Sequence, residues 1–176
     1  MTKTMDIQIR DAQTNDMAEI TEIYAHHVLH GLASFEEIPP TLDEMTARFN
    51  SIRSAGYPYI VAELEGSVAG YAYLGAYRAR PAYRHSVENS VYIAPDMTGN
   101  GIGSALLAAT IAACEGRNYN LMIAVIGDSE NKASIALHTR HGFSMVGILK
   151  EVGFKHGRWV DTVLMQKSLP GPLTKK

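Results

Sequence analysis

Apolar positions along this chain fall into alternating runs interrupted by stretches of helical spacing, and that order lays out the elements. Ile7 and Ile9 alternate with polar neighbours as a first strand does. Thr14 is placed to cap a helix that carries Met17, Ile20, Ile23, Tyr24 and Val28 on one face and ends near Gly31. A loop over 32–40 leads to Thr41-Leu42-Asp43-Glu44, a Thr-x-x-Glu capping box that opens a second helix through Met45, Phe49 and Ile52, stopped by Gly56. The runs 59–64 and 68–76, joined by Glu65-Gly66-Ser67, predict a β-hairpin, and 87–93 predicts the next strand after a basic, aromatic loop over 78–85. Ile102, Ala105, Leu106, Ala109 and Ala113 form a small-residue helix face, followed by a strand over 121–126. Asp128 or Ser129 caps a short helix through Ser134, Leu137 and His138 that Gly142 ends. Strands over 145–150 and 160–166 close the pattern, with His156-Gly157 turning in their vicinity.

This order, β-α-α-β-β-β-α-β-α-β-β, predicts one α+β domain over residues 1–167, followed by a flexible tail over 168–176 that begins at Ser168 and Leu169. A chain of 176 residues is long enough to bury a real core, and 46% hydrophobic and 19% charged residues are ordinary for a globular protein. A formal charge of −2 argues against a general nucleic-acid binder, whose phosphate affinity needs an excess of lysine and arginine. Cys114 is the only cysteine, so an intramolecular disulfide and a Cys/His zinc spacing are excluded, which fits the cytoplasm. No apolar run is long enough for a signal peptide or a membrane span, so no membrane partner is expected. His26, His27, His30 and His141 share no metal-ligand pattern, and no metal is expected.

The chemistry concentrates where the strand ending Val91-Tyr92-Ile93 passes through Thr98-Gly99-Asn100-Gly101-Ile102-Gly103-Ser104 into a helix. Glycines at 99, 101 and 103 permit a tight turn that leaves bare N–H groups at the positive end of the helix dipole, a ready phosphate site. A Walker loop is excluded because no Lys-Ser/Thr pair follows Gly103, and a dinucleotide fingerprint because Ser104 stands where its last glycine belongs. A plain β-to-α turn remains open on these residues alone.

Element order and glycine turn together resemble the GNAT acetyltransferase superfamily over nearly the whole chain. The acyl-CoA signature Arg/Gln-x-x-Gly-x-Gly/Ala is similar to 98–103, with a neutral Thr98 replacing the usual first residue. The segment Asp128-Ser129-Glu130-Asn131-Lys132-Ala133-Ser134 through His138 and Gly142-Phe143 looks like the part that holds the cofactor beyond the fifth strand. Within the superfamily, Ser34-Phe35-Glu36, Tyr83-Arg84-His85-Ser86-Val87-Glu88-Asn89-Ser90-Val91-Tyr92, Ala124-Val125-Ile126-Gly127-Asp128 and Gly153-Phe154-Lys155-His156-Gly157-Arg158-Trp159 resemble the phosphinothricin N-acetyltransferase group. The implied fold is a mixed, mostly antiparallel sheet splayed between its fourth and fifth strands and flanked by helices. The implied reaction moves the acetyl group of acetyl-CoA to the α-amino group of phosphinothricin, methionine sulfoximine or a related analogue, directly within a ternary complex. A homodimer is implied as well.

The same resemblance distributes roles. Glu88, a surface glutamate on its residues alone, becomes the general base for the acceptor ammonium, directly or through a water. Val91, Tyr92 and Ile93 hold pantetheine through their backbone, Thr98 to Ser104 hold the pyrophosphate, and Asn131, Ser134 and His138 complete the cofactor site. His138 also falls where many members carry the tyrosine that protonates the departing thiolate. Arg78, Arg80 and Tyr83, with Phe35, Glu36, Ser90 and Glu88, are the expected acceptor contacts, two guanidiniums matching a doubly acidic substrate and Glu36 taking its ammonium. Cys114 lies deep in the helix pattern and is read as an inert core residue rather than an acyl carrier. The alternatives are acetylation of another small amine or an arsenic-containing amino acid, and a non-catalytic acetyl-CoA sensor.

Overall fold

The alternating runs assemble into one seven-stranded sheet in the computed structural model, which describes residues 6–171. Strands β1 (Gln8–Asp11), β2 (Tyr59–Leu64), β3 (Ser67–Ala76), β4 (Ser86–Ile93), β5 (Leu121–Gly127), β6 (Ser144–Lys155) and β7 (Arg158–Ser168) lie in the order β1-β2-β3-β4-β5-β7-β6. Every pairing is antiparallel except β4 with β5. This is the mixed, mostly antiparallel sheet that the family resemblance implies.

Helices α1 (Met17–His30) and α2 (Leu42–Ser54) cover one face. All five residues predicted for the inner face of α1, from Met17 to Val28, are buried, and with Met45 and Phe49 they pack on Tyr59, Val61 and Tyr71. The capping box of α2 is present in full: Thr41 Oγ1 accepts from the Glu44 amide at 3.2 Å, and the Glu44 carboxylate accepts from the Thr41 amide at 2.7 Å. A cap of this kind stabilises by about 1 kcal/mol. On the opposite face lie α3 (Ile102–Ala112) and α4 (Lys132–Arg140). Ile102 and Leu106 pack on Ile60, Ala62, Ala69 and Ala72, while Leu107 joins Leu74, Val87, Met122 and Val163.

Four expectations need correction. Thr14 does not cap α1, because 14–16 form a 3-10 turn and the backbone enters the helix at Asp16, whose carboxylate accepts from the Gln13 amide and pairs with Arg10. Neither Asp128 nor Ser129 caps α4; Asn131 Oδ1 accepts from the Ser134 amide at 3.2 Å, whereas Asp128 sits at φ 71° and pairs with Arg158. Of the predicted face of α3, Ile102 and Leu106 are buried, but Ala105, Ala109 and Ala113 are only partly so, and Leu107 and Thr110 complete the buried face, their larger side chains reaching farther into the sheet. The chain also stays packed past residue 167: Ser168 ends β7, and Leu169 is buried with its amide bonded to the Asn120 carbonyl. Residues 172–176 of the expected tail lie outside the described residues.

Candidate active site

Strands β4 and β5 are paired only from Ser86 with Leu121 to Asn89 with Ala124, and beyond that point they part. The β5-facing edge of Ser90 to Ile93 therefore has no strand partner, and a narrow slot opens between the strands, bounded also by Asn131, Ser134 and His138. Strand alternation sorts the β4 side chains onto two faces. Glu88, Ser90 and Tyr92 line a cleft of about 430 Å³ beneath the α1–α2 loop, together with Tyr24, Phe35, Glu36 and Tyr73. Asn89 turns to the opposite face, where it meets His138 of α4. Slot and cleft share Ser90, Tyr92, Val125 and Gly127 as walls, so a group held in the slot opens onto the cleft.

Beyond the end of β4 the glycine turn delivers the start of α3, with Ile93 and Leu137 close to Gly103. Gly99 and Gly101 have φ of +82° and +80°, and a Cβ at either would meet nothing within 4 Å, so their outward side is open space. The first bond into the helix runs from the Ala105 amide to the Gly101 carbonyl, and no side chain caps Gly101. The amides of Ile102, Gly103 and Ser104 are thus left for an anion. Thr98 and Asn100 are exposed beside them, the latter donating to the Met97 carbonyl, and Ser104 is bound at 2.8 Å to Nε2 of His141.

Glu88 is half-buried, and that burial pushes its carboxyl above the ordinary value of 4.5, opposed by the charge of Arg78. A carboxylate so tuned is a better proton acceptor near neutrality than an exposed glutamate. His138 is buried, and both of its nitrogens are engaged: Nδ1 lies 2.8 Å from the Ser134 carbonyl and Nε2 lies 3.0 Å from Nδ2 of Asn89. A carbonyl only accepts, so Nδ1 carries the proton and Nε2 accepts from Asn89. Burial lowers the imidazole pKa, which favours the neutral ring, and the proton on Nδ1 is held by the Ser134 carbonyl. The Cys114 thiol is buried, donates to the Thr110 carbonyl at 3.5 Å and is pushed up to about 11, as an inert core residue should be.

The expected acceptor contacts divide. Phe35, Glu36, Glu88 and Ser90 come together in the cleft. Glu36, however, is already committed: Arg48 pairs with it at 2.6 Å and the Tyr24 hydroxyl donates to it at 2.8 Å, which holds its carboxyl below the ordinary range. Arg78 lies over the Tyr77 ring at 5.0 Å, close enough for its charge to act on Glu88. Arg80 and Tyr83 belong to the exposed 3-10 turn region over 80–84 and do not line the cleft. Tyr24, Tyr73 and Thr162 are site residues that carried no motif, and Asn89 lay within a motif word but without a role; Tyr24 read as an ordinary residue of the inner face of α1. Gly127 and Gly153 are a legible signal, since a Cβ at the first would overlap the Leu32 carbonyl and at the second the Phe35 ring. They let the α1–α2 loop lie directly on the sheet. Among the described residues no cluster of histidine, cysteine or acidic side chains could hold a metal, and no helix is long and apolar enough to cross a membrane.

Residues 9–164 match the family model described as an acetyltransferase (GNAT) domain. A phosphinothricin N-acetyltransferase of Alcaligenes faecalis is 54% identical over 161 residues, covering 92% of this chain and 82% of that protein. An L-methionine sulfoximine/L-methionine sulfone acetyltransferase of Salmonella typhimurium is 40% identical, with 92% and 94% covered. Among solved structures, a GNAT superfamily phosphinothricin acetyltransferase from Sinorhizobium meliloti in complex with acetyl-CoA superposes with a TM-score of 0.93 at 48% identity, covering 97% of this chain and 93% of that one.

Proposed function

The chain belongs to the GNAT acetyltransferase family, and we propose that it transfers the acetyl group of acetyl-CoA to the α-amino group of phosphinothricin, methionine sulfoximine or a closely related amino acid analogue. The observation that carries this reading is the shared wall of slot and cleft at Ser90, Tyr92, Val125 and Gly127, with Glu88 facing the cleft.

Acetyl-CoA, when bound, supplies the thioester. The amides of Ile102, Gly103 and Ser104 suit its pyrophosphate, and the unpaired edge of Val91 to Ile93 suits the amide groups of its pantetheine arm. On that edge the Ile93 carbonyl is already taken by Nε2 of His27 at 2.8 Å, which leaves the N–H groups and the earlier carbonyls. Asn131 spends its side-chain oxygen on capping α4 and flanks the slot through its remaining atoms. Replacement of the usual Arg or Gln by Thr98 weakens the phosphate site without removing its backbone donors.

Glu88 takes a proton from the acceptor ammonium, and the freed amine attacks from the cleft side. A β4 N–H stabilises the oxygen on which charge develops. A thiol of ordinary pKa, about 8.5, leaves near neutrality without an acid partner, so His138 acts by holding Asn89 and the α4 end of the slot rather than as a proton donor. With Cys114 inert, transfer is direct. Arg78 does not itself line the cleft, but its charge acts on Glu88, which makes it the candidate for an acidic group of an acceptor poised there, and Phe35 walls the cleft.

A homodimer fits the exposed apolar row of Val146, Leu149, Val152, Phe154 and Trp159 on the β6–β7 hairpin, and the single buried cysteine fits the cytoplasm. Incubation with acetyl-CoA, a thiol reagent and each candidate amine tests the reading: thiol release that depends on the amine supports it, and acetyl-CoA binding with no release for any amine assigns a sensor instead.

A further inference from the structure

Lys155 ends β6 with 2% of its surface exposed, the one lysine or arginine among the buried side chains of the described residues. Its Nζ donates to the main-chain carbonyl of Ser34 at 2.6 Å, a bond spanning 121 residues of sequence. An ammonium taken out of water is costly to keep, and burial lowers its pKa against the raising influence of Glu37 and Glu36. A methionine would fill the same volume without that cost, so the cation is retained for what it holds.

What it holds is the α1–α2 loop where that loop enters the cleft. Ser34, Phe35 and Glu36 are consecutive and all line the cleft. The Ser34 carbonyl belongs to the peptide unit that joins Phe35, so anchoring it fixes the direction in which Phe35 leaves the backbone. Two residues earlier on the same strand, Gly153 provides the gap in which the Phe35 ring lies. Ser34 Oγ and Glu36 are tied separately to the Tyr24 hydroxyl, at 2.9 and 2.8 Å, which secures the side-chain side of the loop. Lys155 secures its main chain.

We propose that Lys155 is a positioning residue for the acceptor: it clamps the Ser34 carbonyl to β6 and so sets Phe35 and Glu36 as the wall against which the amino acid analogue binds. The inference rests on the acceptor cleft assigned above. It needs no contact between Lys155 and the acceptor.

Lys155→Met removes the donor at nearly constant volume, and Lys155→Gln keeps a donor that is too short to reach. In the full chain, both variants should raise the KM for phosphinothricin by more than about threefold while the acetyl-CoA Kd, measured by calorimetry, stays within about twofold. Amides 33–36 should exchange hydrogen faster than in the wild type. A role confined to stability would lower the melting temperature and leave the acceptor KM in place. An acceptor KM within about threefold of wild type, or an equal rise in acetyl-CoA Kd, overturns the proposal. If the methionine variant does not fold, the glutamine variant decides on the same criteria. Should the wild type turn over no acceptor, the acetyltransferase reading falls, and the exchange of amides 33–36 alone then decides whether Lys155 clamps the loop.

Discussion

Asn89, which with Ala124 forms the last residue pair that β4 and β5 share before they part, donates its side-chain amide to Nε2 of His138 at 3.0 Å. Because Nδ1–H is given to the Ser134 carbonyl, the bond closes only around a neutral imidazole. Protonation would put a second N–H against the Asn89 amide.

Acid should therefore loosen the fold. Burial holds His138, His27 and His141 below 6.5, the ordinary imidazole value. The unfolded chain then binds more protons than the folded one as pH falls from that value toward the folded pKa values, so the stabilisation is complete above 6.5 and is lost below it. The melting temperature should drop between about pH 7.5 and about pH 5.5, and His138→Gln, which cannot charge, should drop less. Parallel curves for the two proteins would contradict the neutral ring.

Glu88→Gln keeps the shape of the side chain and removes the proton acceptor. The kcat should fall by about 10²–10⁴ with acetyl-CoA affinity unchanged. In the wild type the acid limb of kcat/KM should titrate above 4.5, since burial raises this carboxyl, and that limb should vanish in the variant. A kcat within about threefold of wild type across the pH range would reduce Glu88 to a cleft wall.

Gly101 caps α3 at φ +80°, with open space where a Cβ would lie. Gly101→Val strains that backbone and fills the outward side of the turn without disturbing the core, so the protein should fold and bind acetyl-CoA more than about tenfold weaker, roughly 1.4 kcal/mol. Calorimetry on the folded variant checks this. Unchanged affinity would move the phosphate site elsewhere.

Gly153→Ala places a methyl group where the Phe35 ring lies. Displacing the ring should cost about 1–3 kcal/mol of stability and raise the acceptor KM while sparing acetyl-CoA binding. Thermal melts and initial rates separate the two effects.

Most of the sheet was legible because each strand carries its own alternation, and α2 because its capping box is a local device. The helix starts at Met17 and Lys132 were not: the Asp16 carboxylate is spent on Arg10 and the Gln13 amide, and the side-chain cap of α4 comes from Asn131 rather than from Asp128 or Ser129. β6 runs to Lys155 instead of ending near Lys150 because Asp161 accepts from Lys150 Nζ and the Glu151 amide, carrying the strand across an irregular stretch by contacts some ten residues away in sequence. In the site, the glycine turn and Glu88 were legible as motif words. The commitment of Glu36 to Arg48 and of both His138 nitrogens was not, because those pairs form only when distant elements meet. Arg80 and Tyr83 show the converse: a basic, aromatic loop close in sequence to Glu88 need not line the same cleft.

Acetyl transfer to the amine of an acidic amino acid analogue is read out by initial rates of CoA release under saturating acetyl-CoA. With phosphinothricin the wild type should release CoA at a rate far above that with an uncharged alkylamine, and Arg78→Ala should erase much of that preference, because losing a charge-assisted contact forfeits roughly 1.5–3 kcal/mol. Equal release with both amines, unmoved by the Arg78 substitution, would contradict the acceptor assignment, and no amine-dependent release at all would contradict the enzyme.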